Sequence, residues 1–200
     1  MTPRVFLLSP ASCSGQRGKL LLRGDASFEL AFRLRHEGAE LGEVFSFVSA
    51  LYFRGKLTYA RRFASPPAGA PGVSVITSSR GLLGPETRIG LGDLRAFSRV
   101  EIDVGSARYV RALRDAAHEL RAQLTPETEV VLLGSIATPK YVTTLLEVFG
   151  KSLLFPPEFV GRGDMSRGGL LLRAAGAGQE LAYGPIDGAV RHGRRPPKLG

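Results

Sequence analysis

The chain has 200 residues, 44% hydrophobic and 22% charged, and its 27 Lys and Arg outnumber 18 Asp and Glu to leave a net charge of +9. That length suits one domain, since chains divide into separate cores only beyond roughly 250 residues, and the apolar content excludes wholesale disorder. The single cysteine, Cys13, excludes an internal disulfide, a cysteine zinc cage and a CxxC redox pair.

In chain order, Arg4 to Ser9 reads as a short buried strand, entered after Pro3 and closed by Pro10. Residues 10–25 read as a loop whose core, PASCSGQRGK, mixes small hydroxyl residues, glycines and two cations. From Ser27, Phe28, Ala31, Phe32 and Leu34 recur at helical spacing until Gly38 stops the pattern. A second helix is expected from about Gly42 to Ala64, with Phe45, Val48, Leu51 and Tyr52 as its apolar stripe and a break at Gly55. SPPAGAPG at 65–72 is a turn-rich connector, after which Val73 to Thr77 alternates as a strand.

Residues 107–124 carry the most regular helical pattern, with Tyr109, Val110, Leu113, Ala116, Ala117, Leu120 and Leu124 on one side and Arg111, Arg114, His118 and Arg121 on the other. VVLLGS at 130–135 is a continuous apolar run of the kind found in strands covered on both faces, and a helix follows from Pro139 to Phe149. Short strands are expected near Leu153 to Phe155 and near Glu180 to Tyr183. Between them lies GRGDMSRGGLLLR, residues 161–173, with Asp164 placed to cap a helix whose first amides attract anions. Strands separated by helices predict an α/β fold: one compact domain over residues 1–188, with a mixed or mainly parallel sheet flanked by helices, and a basic, flexible tail over 189–200. No apolar run approaches the ~20 residues of a membrane span, so no membrane association and a cytoplasmic location are expected.

Most of the cationic excess is arginine, whose planar fork matches phosphate in a bidentate way. A polyanion, nucleic acid above all, is therefore the expected partner; the compositional alternative is a GC-rich genome, which also enriches Arg, Gly, Ala, Pro and Leu. Open α/β sheets place ligand sites beyond the carboxyl ends of their strands. Three strand ends then present Ser9, Ser12 and Arg17, Ser78, Arg80 and Glu86, and Ser135, Thr138, Lys140 and Tyr141, which converge if the strands are neighbours. Arg54, Lys56, Ser166, Arg167 and Arg173 complete the anion-binding candidates; ordinary turn and cap chemistry is the alternative for the hydroxyl residues. Glu86 and Asp164 are the candidate general acids or bases, and Cys13, in a cationic loop that would lower its pKa, is the candidate nucleophile. His36, His118 and His192 have no metal-ligand spacing, and no GxxxxGK[ST] or GxGxxG motif occurs, so neither metal nor cofactor is expected.

Five segments in one order, LLSPAS at 7–12, YFRGKLTYA at 52–60, ITSSRGLLGPETRI at 76–89, LLGSIATPKY at 132–141 and GDMSRGGLLLR at 163–173, resemble the YaaA-like family of bacterial peroxide-stress proteins. The SSRGLLGPE piece is also similar to a related group of short proteins with a Cys after the first strand, which Cys13 matches. The resemblance implies a DNA-binding protein with a compact α/β fold, a cleft lined by these motifs, and a part in the oxidative stress response. Its matched positions are Ser9, Pro10, Ala11, Gly81, Ser135, Tyr141, Met165, Ser166 and Arg167. The chain departs from it at Ser12, where Lys is usual, at Pro139, where Glu is usual, and in lacking a clear helix-hairpin-helix. The resulting expectation is a nucleic-acid-binding protein, DNA before RNA, with a basic cleft. The alternative is an enzyme acting on a nucleotide or nucleobase, by glycosidic-bond or base-modification chemistry, in the same cleft.

Overall fold

The apolar runs ending at Leu8 and Leu133 have no polar face to leave in water, so both become central strands covered on two sides. The computed structural model describes residues 2–194. Its elements run β1 (Arg4–Leu8), α1 (Gln16–Leu22), α2 (Glu29–His36), β2 (Ala39–Glu40), α3 (Leu41–Phe63), β3 (Val73–Ile76), β4 (Leu82–Leu83), β5 (Arg88–Ile89), α4 (Leu91–Arg99), α5 (Ala107–Ala122), β6 (Glu129–Leu133), α6 (Pro139–Phe149), β7 (Leu153–Phe155), α7 (Asp164–Ala177) and β8 (Gly184–Pro185). One sheet has the order β4-β3-β1-β6-β7-β8, and β2 and β5 form a separate antiparallel pair. β1 pairs in parallel with both β3 and β6, β6 with β7, while β4 and β8 close the edges antiparallel. This is the mixed α/β sheet flanked by helices that the sequence predicts.

Strand alternation divides the core into two layers. Phe6, Leu8, Val131 and Leu133 face the layer formed with α1–α4 and α7, whereas Val5, Leu7, Val130 and Leu132 face α5 and α6. The chain therefore leaves β1 onto one face of the sheet, through α1–α3, and leaves β6 onto the other, through α6. Because β1 and β6 are neighbours, their outgoing loops diverge and leave a crevice at their carboxyl ends, the topological switch point of an open sheet.

Beneath the crevice, α3 crosses α7 at backbone contact. A Cβ on Gly55 would lie 2.7 Å from the Gly168 carbonyl oxygen, and one on Gly168 would lie 2.8 Å from that of Leu51. The expected helix break at Gly55 is thus corrected: Gly55 sits in regular helix because it permits this crossing, and the break falls at Ala50, whose φ of 47° and ψ of −124° interrupt α3. Other boundaries also move. Residues 16–22 of the expected loop form α1, the last strand lies at Gly184–Pro185 rather than 180–183, and Asp164 is the first residue of α7, not its cap, a position held by Gly163. Within the expected tail, Gly193 and Arg194 lie against Val160 and Gly161, while residues 195–200 are outside the described residues.

Candidate functional site

The crevice opens as a cleft of about 370 Å³ lined by Pro10–Ser14 after β1, Ser78 after β3, Phe97–Ile102 at the end of α4, and Lys140 and Tyr141 in the first turn of α6. All three expected strand ends contribute, through Ser12, Ser78, Lys140 and Tyr141. Ser12 and Ser14 are exposed and their hydroxyls lie 3.4 Å apart, whereas the buried Ser78 donates to the Phe97 carbonyl at 2.9 Å and pins α4 to the rim. Thr138, at the start of α6, makes no side-chain cap bond, so the amides of the helix N-terminus add positive potential to that of Lys140. Arg99 supplies a second cation and Glu101 one carboxylate.

Behind the cleft wall lies a buried polar cluster. Lys56, on α3, is fully buried; its ammonium donates to the Ser9 carbonyl at 2.5 Å and hydroxyl at 2.8 Å and rests 4.4 Å from the Tyr52 ring centre. Loss of water around it, with the nearby Arg167 and Lys140 cations adding to the effect, pulls its pKa down to about 7, against the opposing pull of Asp164. Tyr141 packs beside the Ser9 hydroxyl and the Ser135 backbone, and burial pushes its phenol up to about 12. Arg167, only 8% exposed, gives Nε and Nη2 to the Phe159 carbonyl, both at 3.1 Å, and Nη1 to Asp164 at 3.4 Å. The Tyr52 hydroxyl, near Arg167, Tyr141 and Asp164, is buried and among the described residues has no hydrogen-bond partner, and burial drives its pKa up.

The remaining candidates are placed elsewhere, which corrects the expectation of one hollow holding all the cations. Arg17 and Arg54 line a second hollow between α1, α2 and α3, where Arg17 donates to the Phe47 carbonyl at 3.2 Å. Arg80 turns to Asp93 at 3.1 Å, and Glu86 is exposed and paired with Arg61 at 2.9 Å, outside the cleft. Arg173 lies in a hollow with Glu158 and Glu180, and the half-buried Ser166 accepts from Arg162. Asp164 points its carboxylate largely into solvent. For Arg17, Arg80, Glu86, Ser166 and Asp164 a local partner holds the side chain. The α5 stripe is likewise a solvated face, with Arg114 bound to Glu147 and Arg111 to Asp115.

Cys13 also needs correction. It lines the cleft but is 4% exposed, its Sγ 3.6 Å from the Ala11 carbonyl, and burial pushes its thiol up to about 12 where the cationic loop was expected to lower it. Desolvation of the thiolate outweighs the neighbouring loop charges, which sit in water. Iodoacetamide at pH 8 is therefore expected to alkylate Cys13 at least a hundredfold more slowly in the native protein than in urea; equal rates would show the thiol to be open and activated.

Three contributors escape sequence reasoning. Arg99 and Glu101 enter the cleft only because α4, not recognised as a helix, packs across the β3 end. Tyr52 reads as one more residue of an apolar stripe, and only the missing partner of its hydroxyl sets it apart. Among the described residues, no three His, Cys, Asp or Glu side chains are grouped to hold a metal ion, and no helix is long and apolar enough to cross a membrane. Compared with protein-family models, curated proteins and solved structures, the chain matches none.

Proposed function

We propose that the chain binds nucleic acid and that its strand-end cleft takes one nucleotide unit at a time. The observation that carries this reading is the convergence of three parallel strand ends on a cleft holding Lys140, Arg99, exposed serine hydroxyls and a helix N-terminus, in a chain of net charge +9. A cleft of about 370 Å³ lies in the range that encloses small ligands and is far too small for a duplex. The unit that enters must come from a single strand or be turned out of the stack. The order of motifs resembling the YaaA-like proteins supports the same reading.

Neutralising two phosphates of a single strand releases counterions, so affinity for a short single-stranded oligonucleotide should fall roughly sevenfold between 50 and 200 mM salt. Binding should also favour single strands over duplex of the same sequence. Anisotropy titrations with DNA, RNA and duplex probes check both; affinity constant across that salt range would refute the proposal.

A second reading, an enzyme acting on a nucleotide or nucleobase in the same cleft, is favoured by Lys56, whose pKa of about 7 lets it exchange a proton at neutral pH beside Ser9 and Tyr141. The chemistry would then rest on this buried group and not on Glu86, which faces away.

A further inference from the structure

We infer that the polar cluster behind Tyr141 is a binding site for an anionic group, a phosphate or carboxylate carried by the ligand of the cleft; this rests on reading the cleft as the ligand site. Three observations point to a missing anion. Lys56 is wholly buried and, among the described residues, forms no ion pair, its donors going to Ser9 alone. Arg167 is nearly as buried, and its one carboxylate partner among the described residues, Asp164, is 3.4 Å away with a side chain 71% exposed. The Tyr52 hydroxyl beside them is an unused donor in a side chain 6% exposed.

Buried cations without matching negative charge, and buried donors without acceptors, are both costly, so a native fold rarely keeps them together without a role. One anion answers all three. Its oxygens would accept from Tyr52 and offset the charges of Lys56 and Arg167. Lys140 and Tyr141 link the cluster to the cleft, which both of them line.

The charge balance gives the site a pH signature. The groups facing Lys56 are Ser9 at the end of β1, Tyr52 and Phe53 on its own helix, Lys140 from α6, and Asp164 and Arg167 from α7. Of the charged ones, only Asp164 favours the ammonium. An anion in the cluster adds a second favourable charge, so binding takes up a proton and tightens as pH falls. Sulfate is the probe of choice because it does not titrate in this range.

Calorimetric titration of the full chain with sulfate, inorganic phosphate and a nucleoside monophosphate, at constant ionic strength and in two buffers of different ionisation enthalpy, tests the inference. Sulfate should bind about tenfold more tightly at pH 6.5 than at 8.5, with proton uptake visible as buffer-dependent heat. Tyr52→Phe should weaken it about tenfold, as loss of one hydrogen bond to a charged group does, while melting no earlier than the parent. Lys56→Met should remove the proton uptake. Absence of sulfate and phosphate binding, or sulfate binding unaltered by Tyr52→Phe and free of proton uptake, would overturn it. The wild-type proton uptake reads the site even if a variant fails to fold. Monophosphate binding without sulfate binding would place the phosphate elsewhere in the cleft and overturn only this inference; sulfate binding without oligonucleotide binding would overturn only the nucleic-acid reading.

Discussion

Replacing Gly168 with leucine is expected to lower the unfolding free energy by about 3 kcal/mol or more, because the new side chain meets backbone and not a movable side chain. Its Cβ alone would stand 2.8 Å from the Leu51 carbonyl oxygen and 2.9 Å from the Tyr52 Cα. The only relief is to push α7 away from α3, and that separates Arg167 from Tyr52 and Lys56. The same change at Gly176, on the same helix with nothing within 4 Å, should be nearly neutral or mildly stabilising, since only helix propensity changes. Urea midpoints for the two variants check the pair. Equal losses would mean that close packing of the two helices does not hold the cluster together.

The second large effect is on the pH dependence of stability. Lys56 has a folded pKa of about 7 against an ordinary value of 10.5, so between these limits the unfolded chain binds the extra proton. Stability therefore rises with pH from about 7, at a slope approaching 1.4 kcal/mol per pH unit for this one group. Burial acts in the opposite sense on groups that lose a proton to become charged. Cys13, raised from 9.0 to about 12, and Tyr141, raised from 10.0 to about 12, keep their protons when folded. Stability consequently falls above about pH 9, where the unfolded thiol and then the unfolded phenols ionise. Urea unfolding from pH 6 to 10 should show a maximum near pH 9, and Lys56→Met should flatten the rising limb. A rising limb that survives Lys56→Met would place its origin in another group.

The sheet and its main helices follow from patterns that packing has no reason to override. Leu7 and Leu132 belong to runs apolar on both faces, and the stripe of α5 from Tyr109 to Leu120 faces the core as its spacing requires. Neighbouring strands then bring the loops after Leu8, Ile76 and Leu133 together, which is why Ser12, Ser78, Lys140 and Tyr141 share a cleft. What sequence does not carry is side-chain direction. Arg80 and Glu86 sit on the expected turn, yet each finds an opposite charge nearer than the cleft. Lys56, expected among the anion-binding cations of the basic cleft, lies on the inward stripe of α3, one residue from Gly55, where the approach of α7 seals it from water. Ala50 breaks α3 although alanine is the best helix former, so the break is not legible in local propensity.

The proposed function assigns ligand binding to the cleft and not to arginine spread over the surface. Affinity for one short single-stranded oligonucleotide, measured at fixed salt for the parent, Lys140→Ala, Arg99→Ala and Arg111→Ala, tests it most directly. Arg111 is an exposed residue of α5 outside the cleft and serves as the control. Losses of about fivefold or more for Lys140→Ala and for Arg99→Ala, with Arg111→Ala close to the parent, are the expected result. Equal small losses for all three would contradict the claim and leave the positive charge without a site.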